Sequence, residues 1–336
     1  MFSKIRVLAI DGGGIRGIIP AGVLAHIEKL LREISKNKEA HISDYFDLIA
    51  GTSTGGILTA LLLHPDKKYR ATDMTALYVN HGEAIFTRNL ATRTVDRLGL
   101  FNPLYQHEPL EGLLQTYLGD IKISELVRPA LLPTYNIETG VATFVSGLRV
   151  NEKPEYDCKV RDVLRATTAA PTYFAPTQKQ RGAFIDGGMF ANNPALCAYV
   201  EASKFPSEPS SKDIMLLSLG TGSINRSYPF DQARKWGRLN WVRPALEIYA
   251  SAASQTVNHQ LEMFYENKDR RGNYLRIEPD LNEFDVHPGM DVATADNIEK
   301  LQVVGKAMCE KYDRALRVFL EQVVRSNVVS GHERLY

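Results

Sequence analysis

"FDLIAGTSTGGILTALLL", residues 46–63, sets six small residues, Gly51 to Gly56, between two apolar blocks. A linker can be this soft, but linkers are not normally clamped between hydrophobic runs. The block before it is short and stops at a glycine, which predicts a strand over 45–51. The block after it is almost wholly apolar, which predicts a buried helix over 55–63. The turn G-T-S-T-G (51–55) therefore puts Ser53 between a strand and a helix, the context in which a serine hydroxyl can be held out as a nucleophile. Glycines at Gly51 and Gly55 relieve crowding, and the helix N-terminus favours negative charge. A turn that merely caps a helix has the same composition. The motif poses the question of chemistry without answering it.

The same alternation continues on either side. "IRVLAI" (5–10) predicts a buried strand, stopped by Asp11 and the glycines Gly12, Gly13 and Gly14. Leu24, Ile27, Leu30, Leu31 and Ile34 fall at helical spacing, which predicts an amphipathic helix over 18–34. "ALLPTYNIETG" and "ATFVSG" predict strands within 130–147, "VRDVLRATTAA" a helix over 160–170, and "DIMLLSLG" a buried strand over 213–220. The polar, proline-bearing "FPSEPSSKD" (205–213) leads directly into that strand and reads as a surface loop inside one domain. From about 224 the chain is more polar, with helices predicted over 241–265 and 294–323. Strands alternating with helices imply an α/β fold with a mainly parallel sheet. There is no internal repeat.

Composition removes several classes of function. The 336 residues are 44% hydrophobic and 24% charged, as in an ordinary globular protein. A net charge of +1 argues against a dedicated DNA- or RNA-binding protein. Cys158, Cys197 and Cys309 lack metal-ligand spacing, and their odd count suggests a reducing compartment rather than a disulfide framework. The short apolar stretch before Asp11 falls below the roughly 7–15 residues of a signal peptide core. The uncharged run Leu48–Leu63 falls below the ~18 residues of a membrane span. A cytoplasmic protein is expected, with any membrane contact peripheral.

"DGGGIRG" (11–17) matches G-x-G-x-x-G through Gly12, Gly14 and Gly17, between a strand and a helix. A dinucleotide site would also need an acid at the end of the next strand. That strand ends in the GTSTG turn, and Glu28 and Glu33 lie on the intervening helix, so a nicotinamide- or flavin-dependent oxidoreductase is the weaker reading. A P-loop is excluded because no Lys-Ser or Lys-Thr follows the glycines. A glycine-rich turn at a helix N-terminus equally suits an oxyanion, because main-chain N–H groups can crowd around it.

A serine also needs a base. The histidines after Ser53 are His64, His81, His107, His259, His287 and His332, and none lies in a glycine-punctuated loop. His259 reads as a surface residue of the helix "SQTVNHQLEMFY", and His287 as a turn residue in "DVHPG". The stronger partner lies in "FIDGGMFANNP" (184–194), where a short apolar strand delivers Asp186 and the glycines Gly187 and Gly188 permit close approach. A plain turn-forming aspartate would look the same.

Taken in order, "DGGGIRG" (11–17), "GTSTGG" (51–56) and "DGG" (186–188) resemble the three signature blocks of the patatin-like phospholipases, relatives of cytosolic phospholipase A2. "APTYF" (170–174) and "SLGTG" (218–222) are similar to bacterial members. The resemblance covers residues 4–225 well and the rest loosely. It implies a patatin-like catalytic core over 4–225, and a continuation of the same domain over 226–336 carrying lid or regulatory elements. The implied fold is a three-layer α/β/α sandwich around a mainly parallel sheet.

The implied chemistry is cleavage of fatty-acyl esters of membrane phospholipids by a Ser–Asp dyad. Ser53 would be the nucleophile and Asp186 its base. The N–H groups of Gly12, Gly13 and Gly14 would form an oxyanion hole. Arg16 would fix the loop or a phosphate, and Gly17, Gly51, Gly55, Gly187 and Gly188 would support the turns. No metal or cofactor is implied. A catalytically silent lipid- or nucleotide-binding protein on this fold would be expected to have lost Ser53 or Asp186, and both are present.

One stretch lies outside the signature. "NRSYPFDQARKWGRLNWVRPALEIY" (225–249) interleaves basic and aromatic residues and holds both tryptophans of the chain. Such a mixture suits a lipid headgroup region or an anionic ligand that bears a base. A solvated surface with the indoles packed on the core is the plainer alternative. The stretch loosely resembles the corresponding region of bacterial patatin-like enzymes, including anti-phage effectors switched on by cyclic nucleotides. That resemblance implies a phospholipid membrane surface and a cyclic nucleotide activator as partners, met through Arg234, Trp236, Arg238, Trp241 and Arg243. It leaves the oligomeric state open.

Overall fold

All six residues of the first strand, β1 (Ile5–Ile10), are buried, as befits a strand covered by helices on both faces. The computed structural model describes residues 4–88, 102–179, 182–207, 209–210, 212–266 and 272–330, with the backbone alone at Arg243, Leu246 and 328–330. In it β1 pairs in parallel with β2 (Leu48–Gly51) and with β7 (Ile214–Leu219). Among the described residues, eight strands form one sheet in the order β5-β6-β3-β2-β1-β7-β8, with β4 (Val141–Ser146) paired to β3 (Ala130–Asn136). β5 is Thr177–Lys179, β6 is Gly182–Asp186 and β8 is Tyr274–Ile277. The pairs around β1 and β7 are parallel, whereas β3/β4, β3/β6 and β5/β6 are antiparallel. The mainly parallel sheet expected from the sequence thus carries an antiparallel flank.

Strand alternation divides the interior into two layers. Leu8, Ile10, Ile49, Leu217 and Leu219 turn toward the larger core. That core is closed by α1 (Ile18–Ser35), α2 (Thr54–Leu62), α3 (Ala71–Ile85), α4 (Glu108–Leu118), α5 (Val160–Thr167) and a long last helix, α10 (Ala295–Ser330). Val7, Ala9, Leu48, Ala50 and Leu216 turn the other way, against α7 (Ala195–Ala202) and the C-terminal end of α9 (Arg238–Tyr265). Two short helices, α6 (Gly188–Ala191) and α8 (Phe230–Ala233), complete the described set. No described helix is long and apolar enough to cross a membrane.

Two of the boundaries that depart from expectation have a local cause. The strand predicted from 45 begins at Leu48, because Asp47 is drawn onto the main chain and guanidinium of Arg6, at 2.8 Å to each of N and Nε. The helix predicted over 160–170 stops at Thr167, ahead of Ala170-Pro171, since a residue before proline disfavours the helical region. α9 starts three residues before the predicted 241, and the last helix runs to Ser330 rather than 323. α3, α4, α7, β5 and β8 had no sequence expectation.

β3 determines where the turns meet. One of its edges is taken by β4 across Leu131–Asn136. The other edge is shared in succession: β2 pairs with Ala130 and Leu131, and β6 with Thr134, Tyr135 and Asn136. β2 runs parallel to β3 and β6 antiparallel, so their C-terminal ends approach each other with Pro133 between them. A proline within a sheet is tolerated where no neighbour requires its missing N–H, and this gap is such a place.

The approach of α2 to β1 is equally tight. A Cβ on Gly55 would press on the main-chain carbonyls of Ile10 and Asp11, which cannot swing aside, whereas a Cβ on Gly112 in α4 would meet nothing within 4 Å. Gly55→Ala is expected to lower the unfolding free energy by about 1–3 kcal/mol. Gly112→Ala is expected to raise it by about 0.5–1 kcal/mol. Urea unfolding of the two variants gives the comparison, and shifts of the same sign would contradict this packing.

Candidate active site

Ser53 caps α2 with φ 53° and ψ −121°, a left-handed conformation that costs a non-glycine residue about 1–3 kcal/mol unless its surroundings enforce it. They do. The Ser53 N–H donates to Thr167 Oγ1 at 3.1 Å, and that hydroxyl donates in turn to the Pro133 carbonyl at 2.6 Å. On the preceding residue, the Thr52 hydroxyl donates to the Ala191 carbonyl at 2.7 Å and its N–H to the Ile10 carbonyl at 3.2 Å. The turn is therefore tied to β1, to β3, to α5 and to the segment after Asp186. Ser53 is half-buried.

Asp186 ends β6 opposite Thr134, and its own N–H donates to the Ala169 carbonyl at 3.0 Å. A Cβ on Gly187 would strike the Pro133 carbonyl. Glycine there lets the chain turn directly over β3. The Gly188 N–H then donates to Asp186 Oδ1 at 2.6 Å, and the Ser53 hydroxyl lies close enough to the carboxyl to act on its ionisation. Burial pushes the Asp186 carboxyl up to about 7, with the nearby Ser53 hydroxyl and the Gly188 N–H pulling the other way. The outcome is a serine on a strained turn, beside a buried carboxyl that titrates near neutrality.

The glycine turn after β1 lies against this pair. A Cβ on Gly12 would stand 3.3 Å from Ser53 Cβ. The Gly12 N–H, however, donates to the Asn192 carbonyl at 3.0 Å. That N–H is already engaged, which leaves those of Gly13 and Gly14 from the expected set of Gly12, Gly13 and Gly14. The N–H groups of those two have no acceptor among the described residues. Thr221 Oγ1 donates to the Gly12 carbonyl at 2.6 Å, and Ile15 N–H donates to the Met290 carbonyl at 2.8 Å. Of the other supporting glycines, Gly17 abuts Thr54 and Tyr78, and Gly51 abuts Gly55 and Thr59.

Beneath the turn is a buried charge cluster. Arg276 of β8 holds Asp11 bidentately, with Nη1–Oδ1 2.8 Å and Nη2–Oδ2 2.6 Å, donates to Ser218 Oγ at 2.7 Å and also contacts Glu278. Burial opposes the charge on Arg276, yet Asp11 and Glu278 outweigh it and raise its pKa. Burial also raises Glu278, against the pull of Arg276. Arg16, buried and lowered by desolvation, has Glu278, Tyr173 and Asp11 as its charged or polar neighbours, and its Nε has no hydrogen-bond partner.

The remaining candidates lie elsewhere. Arg234 pairs with Asp231 at 3.3 Å on the surface. Trp236 and Trp241 meet edge to face at 5.1 Å, with Tyr228 against Trp236 at 5.4 Å. Arg238 is exposed at the start of α9, and the Arg243 side chain lies outside the described residues. His259 is exposed on α9, and His287 Nδ1 accepts the Gly289 N–H at 3.1 Å. Among the described residues, no histidine is hydrogen-bonded to Ser53 or Asp186. Sequence analysis missed Thr167, Asn192, Thr221, Arg276 and Glu278 as members of this assembly. "SLGTG" was visible but unassigned. Its Ser218 and Thr221 hold Arg276 and the Gly12 carbonyl respectively.

The Asp186 shift has a consequence for stability. In the unfolded chain the carboxyl ionises near its ordinary value, and in the fold only near 7. Between those values the folded state holds the extra proton, so stability is lost as pH rises, by about 1.4 kcal/mol per pH unit at most. Asp186→Asn removes this dependence. It is expected to unfold at higher denaturant than the parent at pH 8, with the gap closing toward pH 4. A gap independent of pH would contradict a desolvated carboxyl.

The family model for "Patatin-like phospholipase" matches residues 8–199. Patatin-04/09 of Solanum tuberosum is 32% identical over 94% of this chain and 88% of its own length. Patatin-like protein 1 of Arabidopsis thaliana is 34% identical over 91% of this chain and 81% of its own. A solved structure, VipD from Legionella pneumophila, covers 91% of this chain and 67% of its own at 11% identity and a TM-score of 0.43. The family match takes in the glycine turn, the Ser53 turn and the Asp186 turn together, and the chain belongs to the patatin-like phospholipase family.

Proposed function

We propose that Ser53 and Asp186 are the catalytic dyad of this lipid acyl hydrolase, with the N–H groups of Gly13 and Gly14 as its oxyanion hole. The observation that carries the proposal is the juxtaposition of a serine on a strained turn and a buried carboxyl raised to about 7. A general base is most effective when its pKa lies near the working pH, and an ordinary aspartate would be too weak.

Asp186 takes the Ser53 proton as Oγ attacks the ester carbonyl carbon of a fatty-acyl chain. The carbonyl oxygen gathers negative charge and is met by main-chain donors already fixed in place, which need no reorganisation at that moment. Collapse of the tetrahedral intermediate expels the alcohol, which leaves with the proton held by Asp186. A water, deprotonated by Asp186, then attacks the acyl-serine, and the fatty acid is released as Ser53 Oγ takes the proton back from Asp186. The clamp through Asn192, Thr221 and Met290 keeps the donor turn from sagging toward Ser53.

Ser53→Ala and Asp186→Asn are each expected to abolish hydrolysis of a fluorogenic lipid ester, with the double variant little worse than either, since the two groups act as a unit. Parent kcat/KM should rise with pH to a plateau above about 7, following ionisation of Asp186. A profile flat between pH 5 and 9 would reject Asp186 as the base.

Gly13→Ala, whose Cβ would run into the Thr221 side chain, is expected to lower turnover by about 10²–10³. His259→Ala and His287→Ala should stay within about tenfold of the parent, ~1.4 kcal/mol in barrier. A thousandfold loss in either would reveal a histidine base.

A further inference from the structure

The first half of α9 is built inside out. Trp241, Val242, Ala245, Ile248, Tyr249 and Ala252 recur at one-helix-face spacing and are all exposed. Val242 is 57% exposed and Tyr249 53%, and just ahead of them Leu239 is 90% and Phe230 77% exposed. The opposite face of the helix, turned to the protein, is polar. Glu247 accepts from Arg226 at 2.9 Å and from the Tyr228 hydroxyl at 2.8 Å. Further along, Asn258 accepts from the Tyr274 hydroxyl at 2.8 Å. Among the described residues, the helix enters the core at its end, through Leu261 and Tyr265. A helix that hides its polar face and shows its apolar one needs a covering surface.

The charges around the stripe say which kind. Residues 224–261 hold Arg226, Arg234, Lys235, Arg238 and Arg243 against only Asp231 and Glu247. Both acids are already paired with arginines. Lys235 and Arg238 are exposed and have no acidic partner among the described residues. Basic residues beside an apolar stripe that carries tryptophan match the interface of an anionic bilayer, where acyl chains receive the apolar face and phosphates receive the cations. The position agrees, since α9 packs on α6, the helix that starts two residues after Asp186.

We propose that Phe230 to Ala252 is the face by which this protein lies on an anionic phospholipid surface, bringing the mouth of the Ser53 site to the lipid. The proposal rests on the acyl-hydrolase reading only for what the docking serves. Insertion buries the side chains of Val242, Ile248 and Tyr249 among acyl chains. Lys235 and Arg238 meet the headgroups.

The test uses a reporter the chain already carries, since Trp236 and Trp241 are its two tryptophans and both lie in this segment. Vesicles of equimolar phosphatidylglycerol and phosphatidylcholine should shift the emission of the full-length protein to the blue and co-sediment it. Phosphatidylcholine alone at high salt should do so much less. Val242→Ser/Ile248→Ser should bind the mixed vesicles at least about tenfold more weakly, and Lys235→Glu should weaken binding at low salt. Both should hydrolyse a soluble short-chain ester within about twofold of the parent, which shows that they are folded. The proposal is overturned if the parent emission ignores the vesicles or if Val242→Ser/Ile248→Ser binds them as the parent does. It is equally overturned if the parent is a dimer that these substitutions split while vesicle binding is unchanged, for then the stripe meets a second copy. A parent that binds vesicles through this face yet hydrolyses no ester supports the docking and overturns the acyl-hydrolase reading instead.

Discussion

Two strands end head to head on one edge of β3, and the site depends on that meeting. β2 delivers Ser53 from one direction and β6 delivers Asp186 from the other, with the carbonyl of Pro133 left between them. Thr167 fills the gap. Its hydroxyl donates to that carbonyl and accepts from the Ser53 N–H. One threonine thus satisfies the backbone group that the missing strand neighbour leaves open and holds the serine in a conformation it would otherwise abandon. The side chain is wholly buried, so the bond is made in a low-dielectric interior where an unmet partner would be costly.

The second support is electrostatic. Asp11 immediately precedes the glycine turn, and the Arg276–Asp11 pair fixes that end of it from below. Buried ion pairs seldom add net stability over apolar packing of the same volume. Here the pair gives direction, because its bidentate geometry and the Ser218 contact allow one placement of Asp11. Asp186 carries the opposite design. It is a buried carboxyl with hydrogen-bond donors but no cation among the causes of its shift. One carboxylate is thereby held in an ion pair beneath the turn, and the other is left basic beside the serine.

α9 extends the same logic to the surface. Its anchoring is polar at Glu247 and Asn258 and apolar only at Leu261 and Tyr265. The helix is therefore firmly held at its C-terminal end and presents its N-terminal half as a shelf. The helix also packs on α6, which begins two residues after Asp186.

The sequence by itself determined the local units. "FDLIAGTSTGGILTALLL" reads as strand, turn and buried helix because the apolar blocks and the small residues are contiguous in the chain, and the fold differs only by a residue or three at the ends. The strand that delivers Asp186, and the glycines beside it, were legible for the same reason. Helices α3 and α4 were not singled out, and β8 was hidden in a polar region, although Arg276 on β8 orders the glycine turn from 265 residues away in the chain. Only the tertiary structure decided that the Gly12 N–H donates to the Asn192 carbonyl. Only it placed Thr167 under Ser53 and Thr221 on Gly12, and turned the apolar side of α9 to solvent. Periodicity fixes which residues share a face, but the direction of that face depends on what packs beneath it. A hydrogen-bond donor is spent or free according to which distant carbonyl arrives, and that is settled by strand order and not by neighbouring sequence.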